Sequence, residues 1–300
     1  MRVLAAVVTH NRRALLGRCL DHLLAQTRPA DGVVVINNAS TDGTTEMLDQ
    51  RGVPYITQAN LGSAGGWYRS INHALEHGFD AIWLMDDDGF PAPDALAALV
   101  PALRPGIACV SSVVLKEDGQ GDFVFPFPLL NPRGLPVIWG RPRKIASLEG
   151  LRALAPAGTY PFAHLFNGAL VSVAAIRQVG NVNQDFFMFG DEVDFFFRLR
   201  QVGAVQSVLQ AKHWHPDVGA RPYTPMKVYY YLKNTLTLNR RYFDRIWLRD
   251  LLAVLAVLGR TASRNGLGHA LSYPLGRRAP LFYTALWRGW RSQVGKDFHA

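Results

Sequence analysis

Cysteine is scarce: Cys19 and Cys109 are the only two in 300 residues. Two thiols so far apart give neither a disulfide framework nor a metal-binding spacing, and they fit a reducing compartment. Also missing is an uninterrupted apolar run of the ~18 to 20 residues that a membrane-crossing helix needs. The apolar start Met1-Arg2-Val3-Leu4-Ala5-Ala6-Val7-Val8 turns polar at Thr9-His10-Asn11. That is too soon for a secretory signal, and the run reads as a buried strand. Acidic residues thin out in the last third. Residues 201–300 carry 15 Lys and Arg against 4 Asp and Glu, whereas 1–200 carry 17 against 19. The net charge of +9 therefore belongs to the tail. No internal repeat and no low-complexity tract interrupts the chain, and 49% hydrophobic content supports one large domain, alone or with an appendage.

What is present is an alternation. Val3–Thr9, Val33–Asn37, Val53–Gln58 and Ala81–Met85 read as buried strands, and Asn11–Gln26, Thr44–Arg51 and Trp67–Gly78 as the helices between them. Strands and helices in alternation predict an α/β fold with a mostly parallel sheet covered on both faces. Ligands of such sheets bind outside the carboxyl ends of the strands, where each polar cluster of the first 90 residues falls. Residues 118–161 are rich in Gly and Pro and predict a long excursion with a hairpin, either a flap over a site or a surface insertion. Val171–Val179 reads as helix, and the chain past Lys227 as helical to its end.

Asp86-Asp87-Asp88 follows directly on apolar Ile82–Met85. Three adjacent carboxylates repel one another unless a cation or donors offset them. Alternation in extended chain would send Asp86 and Asp88 to one ligand and Asp87 elsewhere. Hard carboxylate oxygens suit Mg2+ or Mn2+ bridging to substrate phosphates; the competing reading is an acidic surface loop. Thr9, Asn11, Arg12, Asn38, Ser40 and Asp42 close the first two strands with groups able to read a base and ribose. The same residues also suit a plain turn and helix cap. Asn60, Gly62, Gly65 and Gly66 form a Gly-rich stretch whose backbone can approach phosphate at a helix start. Phe186–Phe189 lead into Gly190-Asp191-Glu192-Val193-Asp194, where apolar neighbours can raise a carboxyl toward the range of a general base. A helix cap is the structural alternative there, and Arg198 stands four residues after Asp194 for an ion pair. His213 and His215 are two candidate imidazole ligands, and the spacing alone does not choose between them.

Taken in order, Thr9-His10-Asn11, Asn38–Gly43, Asn60-Leu61-Gly62, Asp86-Asp87-Asp88, Asn167-Gly168, Asp191-Glu192 and Trp214-His215 resemble a family 2 glycosyltransferase of the GT-A fold, from Val3 to about Asn239. Gly65-Gly66-Trp67, Trp83–Asp88 and Tyr231-Leu232-Lys233-Asn234 resemble the galactofuranosyl branch among bacterial rhamnosyl- and galactofuranosyltransferases. The resemblance implies a GT-A catalytic domain over 1–240, with 1–110 binding nucleotide and 111–240 binding acceptor, followed by a basic amphipathic helical region over 241–300. It implies Asp86, Asp88 and His215 as metal ligands, Asp86 and Asp87 on the nucleotide, and Lys233 at the diphosphate. It further implies Glu192 as base with Asp191 in reserve, and Asn167, Gly168 and Trp214 on the acceptor side. The two acidic stretches would then serve a single pocket.

These expectations give an inverting transfer from a UDP- or dTDP-linked sugar, galactofuranose or rhamnose, to a glycan or polyprenyl-linked acceptor. The cofactor is Mg2+ or Mn2+, and the setting is bacterial cell-surface polysaccharide synthesis. In the tail, Ile246–Leu258, Phe282, Tyr283, Leu286, Trp287 and Trp290 lie among arginines, which suits the headgroup layer of an anionic membrane. The expected location is thus cytoplasmic, peripheral on the inner membrane face. The other use of such helices is packing, on the catalytic domain or between copies in a homo-oligomer. Nucleic acid is excluded as a partner, because no reader motif accompanies the basic residues. Two alternatives are a sugar nucleotidyltransferase, for which an early basic Gly-rich loop is missing, and an inert membrane-associated scaffold of the same fold.

Overall fold

The computed structural model describes residues 1–140, 142–217 and 222–297. Strand β1 (Val3–Thr9) is buried at every position, as a strand covered on both faces must be. Helix α1 (Arg13–Leu24) buries Leu16, Cys19, Leu20 and Leu23, one stripe at helical spacing. Next come β2 (Gly32–Asn37), α2 (Thr44–Arg51), β3 (Tyr55–Thr57), α3 (Gly62–Glu76) and β4 (Ala81–Asp86). Strands β3, β2, β1 and β4 pair side by side and parallel, with Val8 opposite both Ile36 and Asp86.

The chain continues through β5 (Phe90–Pro91), α4 (Ala95–Leu99), β6 (Ile107–Lys116), β7 (Asp122–Pro128), β8 (Lys144–Ser147), α5 (Leu148–Leu154), β9 (Thr159–Tyr160), β10 (Asn167–Ser172), α6 (Val173–Val179), α7 (Asp191–Leu199) and β11 (Ala204–His215). Strand β10 is antiparallel to both β4 and β6, and β11 is parallel to β6. Strands β1 to β4, β6 and β11 therefore send their carboxyl ends to one edge, and β10 adds its amino end there. The sheet is the mostly parallel one expected, with one reversed strand in its middle.

One local expectation needs correction. Val171 is in β10, and helix begins only at Val173, where the Ser172 hydroxyl accepts from the Ala175 N–H at 3.4 Å. A short apolar run buried on both faces carries no period to separate strand from helix. Within 118–161, β7 and β8 do pair antiparallel. The segment has its own apolar cluster, in which Phe123, Phe127, Ile145, Leu148, Leu151 and Tyr160 pack with Val113, Leu115 and Leu209.

The chain divides into two compact units, one of residues 1–182 and 195–217, the other of 183–194 and the residues after 217. The boundary expected at 240 falls inside helix α8 (Pro225–Tyr242), which runs through it unbroken. The second unit adds α9 (Ile246–Asn265), α10 (Leu267–Leu271) and α11 (Ala279–Trp290). Val228, Tyr229, Tyr230 and Leu232 of α8 share one core with Val257, Tyr273, Phe282 and Ala285. Helices α8 and α11 meet closely at Gly289, where a Cβ would stand 2.6 Å from the Lys233 carbonyl. Among the described residues, no helix is long and apolar enough to cross a membrane.

Candidate active site

Strand β4 ends at Asp86, so Asp87 and Asp88 lie in the turn beyond it and the alternation of extended chain does not reach them. The structure accordingly joins Asp87 to Asp88 instead of Asp86 to Asp88. One Arg12 nitrogen, Nη1, donates to Asp87 Oδ1 at 3.0 Å and to Asp88 Oδ2 at 2.9 Å. Thr9 at the end of β1 donates its hydroxyl to Asp87 Oδ2 at 2.7 Å. Burial raises the Asp87 carboxyl above its ordinary value, against the pull of Arg12 and Thr9. Burial in turn pulls Arg12 down, yet Asp87, Asp88 and Asp86 together hold the guanidinium above its ordinary value.

From the end of β11, His215 brings Nε2 to 3.0 Å from Asp88 Oδ1. Its Nδ1 lies 2.7 Å from the Pro216 carbonyl. A carbonyl only accepts, so in the neutral ring Nδ1 carries the proton and Nε2 keeps the lone pair, the state a metal-binding histidine needs. Ligands at adjacent corners of a six-coordinate Mg2+ are about 3 Å apart, given bonds of 2.0–2.1 Å. The Asp88 and His215 donors thus fit a divalent cation in kind and spacing. Asp86 does not complete a trio: the ligand atoms of Asp86, Asp88 and His215 do not gather within 4.8 Å of one another. His213 is fully buried, and among the described residues neither ring nitrogen has a hydrogen-bond partner. Burial, with His215 adding, lowers it to about 3.

The loops expected to read the nucleoside are tied to one another. Asn11 adopts φ +52°, receives the Thr41 N–H on Oδ1 at 2.7 Å and donates its own N–H to Ser40 Oγ at 3.0 Å. Asp42 accepts from the Arg13 N–H at 2.9 Å and the Thr44 hydroxyl at 2.5 Å. Asn38 accepts from Gln58 Nε2 at 2.8 Å and donates to the Gly62 carbonyl at 3.3 Å, and Asn60 receives the Gly62 N–H at 3.0 Å. These side chains fix the shape of the rim. Gly65 and Gly66 lie in α3, close to its start at Gly62. A Cβ on Gly66 would come within 2.4 Å of Val8 Cγ1, and one on Gly65 within 2.4 Å of Leu61 Cβ. Both glycines serve close packing.

Of the acceptor-side residues, Asn167 and Gly168 open β10 at the same edge, with Asn167 opposite Met85. Asn167 is buried, and its Oδ1 has no hydrogen-bond partner among the described residues. Gly168 has φ +86° and lies so close to His213 and Ser112 that a Cβ would be 3.1 Å from each. Trp214 alternates away from His213 and His215 and packs on Phe90 at 5.7 Å between ring centroids. Half-buried, it packs against the apolar core, as the two-residue period of β11 directs.

In the second unit, Asp191 and Glu192 start helix α7, with Asp191 buried and Glu192 half-buried. Burial raises Asp191 to about 6, against its bonds from backbone N–H groups, while Asp194 adds to the rise. Asp194 accepts from the Tyr242 hydroxyl at 2.7 Å and from Arg241 at 3.3 Å. Arg198, further along the helix, donates to the carbonyls of Val179 and Gly180. Leading into α7, Phe187 and Phe189 have φ near +60° and Gly190 has +95°. Asn234 holds that bent segment, its Nδ2 donating to the carbonyls of Phe186, Met188 and Phe189 at 2.7–3.0 Å. Lys233 is fully buried and donates to Asp297 and to the Gly295 carbonyl. Lys233, expected at the diphosphate, thus stands in an internal ion pair.

Residues 5–141 match the profile of glycosyl transferase family 2. Galactofuranosyltransferase GlfT1 of Mycolicibacterium smegmatis is 35% identical over 222 residues, covering 71% of this chain and 70% of its own. The chain belongs to glycosyl transferase family 2. Among solved structures, mannosyltransferase PcManGT from Pyrobaculum calidifontis, in complex with GDP-Man and Mn2+, aligns with a TM-score of 0.55 at 18% identity. That alignment covers 97% of this chain and 86% of PcManGT. TarS 1–349 of S. aureus, in complex with UDP-GlcNAc, also gives 0.55, at 13% identity over 97% and 81%. Both show the GT-A fold, and the family sets aside the nucleotidyltransferase alternative.

In this family 2 chain Asn234 is the positioning residue that sequence reasoning missed. It stands in the Tyr231–Asn234 stretch already singled out, but a helical Asn gives no sign that its amide will meet three carbonyls distant in sequence.

Proposed function

We propose that the chain is an inverting glycosyltransferase that moves galactofuranose first, and rhamnose second, from a UDP- or dTDP-linked donor. The acceptor is a hydroxyl of a glycan or polyprenyl-linked substrate in bacterial cell-surface polysaccharide synthesis. The observation that carries this is the meeting of Asp88 and His215 at the carboxyl edge of the sheet, in a chain 35% identical to a galactofuranosyltransferase. A bound Mg2+ or Mn2+, held by Asp88 and His215, would offset the charge on the departing nucleoside diphosphate. PcManGT with GDP-Man and Mn2+ supports that choice of ion and donor class.

Arg12 keeps Asp87 and Asp88 together, and Asp86, half-buried at the end of β4, meets the nucleotide. The interlocked loops around Asn11, Asn38, Ser40, Asp42 and Asn60 shape the nucleoside pocket, and Asn167 and Gly168 lie on the acceptor side. Glu192 takes the proton of the acceptor hydroxyl, with Asp191 as the second candidate. The hydroxyl oxygen bonds to the anomeric carbon as the bond to diphosphate oxygen breaks on the opposite face, so one displacement inverts the centre. Replacing Glu192→Gln should abolish transfer while sugar-nucleotide binding, read by calorimetry, stays within a few-fold. Near-normal turnover in that variant removes Glu192 from the mechanism.

The same reading puts the chain on the inner face of the cytoplasmic membrane, where a lipid-linked acceptor is met. Trp247, Leu251 and Leu255 form an exposed stripe along α9 at 73%, 55% and 55% exposure. Trp247 meets Trp290 of α11 at 6.0 Å, and Arg291 lies over exposed Trp287. Apolar and aromatic side chains among arginines complement an anionic bilayer surface in both polarity and charge.

A further inference from the structure

Helix α3 ends in His73-Ala74-Leu75-Glu76 and is capped by His77, residues without a part in the proposed sugar transfer. Positions i, i+3 and i+4 share one face of a helix. That face turns outward here: His73 is half-buried, and Glu76 and His77 are exposed. The two imidazole rings lie 4.0 Å apart between centroids. One ligand atom from each of the three side chains falls within 4.8 Å of the other two.

Two further features make these donors more than neighbours. His77 Nδ1 lies 2.9 Å from the His73 carbonyl oxygen. The carbonyl can only accept, so Nδ1 carries the proton and Nε2 presents its lone pair. An outer hydrogen bond of this kind fixes tautomer and ring orientation in most metal-bound histidines. The group also stands at the carboxyl end of a 15-residue helix, where the last carbonyls favour a cation.

We propose that His73, Glu76 and His77 form a second metal site, for a borderline divalent transition ion such as Ni2+ or Zn2+. Two imidazoles and a carboxylate suit these ions, whereas Mg2+ prefers oxygen throughout. Three donors from one helix leave the remaining positions to water or to an outside ligand. Helix α3 starts at the loop that Asn38 and Asn60 hold, and its last turn leads to Asp80, whose N–H meets the Arg2 carbonyl before the start of β1. The site thus lies at the opposite end of β1 and β4 from Asp88, and the two titrate independently.

The test is calorimetric titration of the metal-stripped full chain with Ni2+ alone, comparing wild type, Asp88→Asn, Glu76→Gln, His73→Ala and His77→Ala. Binding should persist in Asp88→Asn. Each histidine variant should lose at least about tenfold in affinity, the lower end of what even outer-shell changes cost, and Glu76→Gln should fall between. The proposal is overturned if the histidine variants bind Ni2+ as tightly as wild type, or if Asp88→Asn alone removes all binding.

Discussion

At residue scale the site depends on how buried charge is managed. Asp87 and Asp88 are both nearly buried, and two like charges so close would be costly without the single Arg12 nitrogen that bonds both. Asp191 accepts from backbone N–H groups, and burial lifts it to about 6. The folded chain then keeps a proton that the unfolded chain releases near 4. Stability must therefore fall as pH rises from about 4 to about 6 and stay lower above that. Asp191→Asn removes this dependence. The variant should be more stable than wild type at pH 7 by about 3 kcal/mol, at ~1.4 kcal/mol per pKa unit, and so unfold at a higher temperature, and the two should converge at pH 4. An equal difference at both pH values in thermal scans would contradict the assignment. What the sequence could not tell about single residues was which partner each side chain takes. His213 and His215 look equivalent on paper, and only the long-range pairing of β11 brings His215 to Asp88. Lys233 reads as a free cation until Asp297, 64 residues on, is folded against it.

At the scale of elements, most of the first half of the chain was legible because period and polarity agree. Each buried strand run ends in polar residues, and the parallel register lines those ends up. Legibility failed where one pattern serves two purposes. The Gly65-Gly66 pair, expected to bring backbone near phosphate at a helix start, also lets Val8 and Leu61 pack closely on α3. The end of β10 looks like the helix that follows it. Helix α9 was legible as an apolar segment, and the fold adds which face stays outside. Because Trp247, Leu251 and Leu255 are exposed, replacing all three by Ser should leave folding intact, with unchanged far-ultraviolet circular dichroism. The wild type should sediment with vesicles rich in phosphatidylglycerol and not with neutral ones, and the triple variant should lose most of that binding. Equal sedimentation of variant and wild type would remove α9 from the membrane.

For the whole molecule, family 2 membership and the GT-A fold were readable from an ordered set of short motifs, each weak alone. The division of the chain was not. A composition boundary near 240 reflects where charge accumulates, whereas the compact units follow apolar contact, and α8 shares its core with α9 and α11. The short segment 183–194 joins the helical unit because Asn234 and the neighbouring aromatics hold it there, an attachment that no local pattern announces. The central claim is a metal-assisted transfer from a sugar nucleotide, and its most direct measurement is turnover of UDP-galactofuranose with a polyprenyl-diphosphate-linked oligosaccharide. The account predicts UDP release coupled to glycan growth in Mn2+ or Mg2+, loss in excess EDTA, recovery on restoring the ion, and loss of at least about a hundredfold in Asp88→Asn, the scale expected when charge stabilisation of a leaving group is removed. Undiminished turnover in EDTA, or in Asp88→Asn, would contradict it.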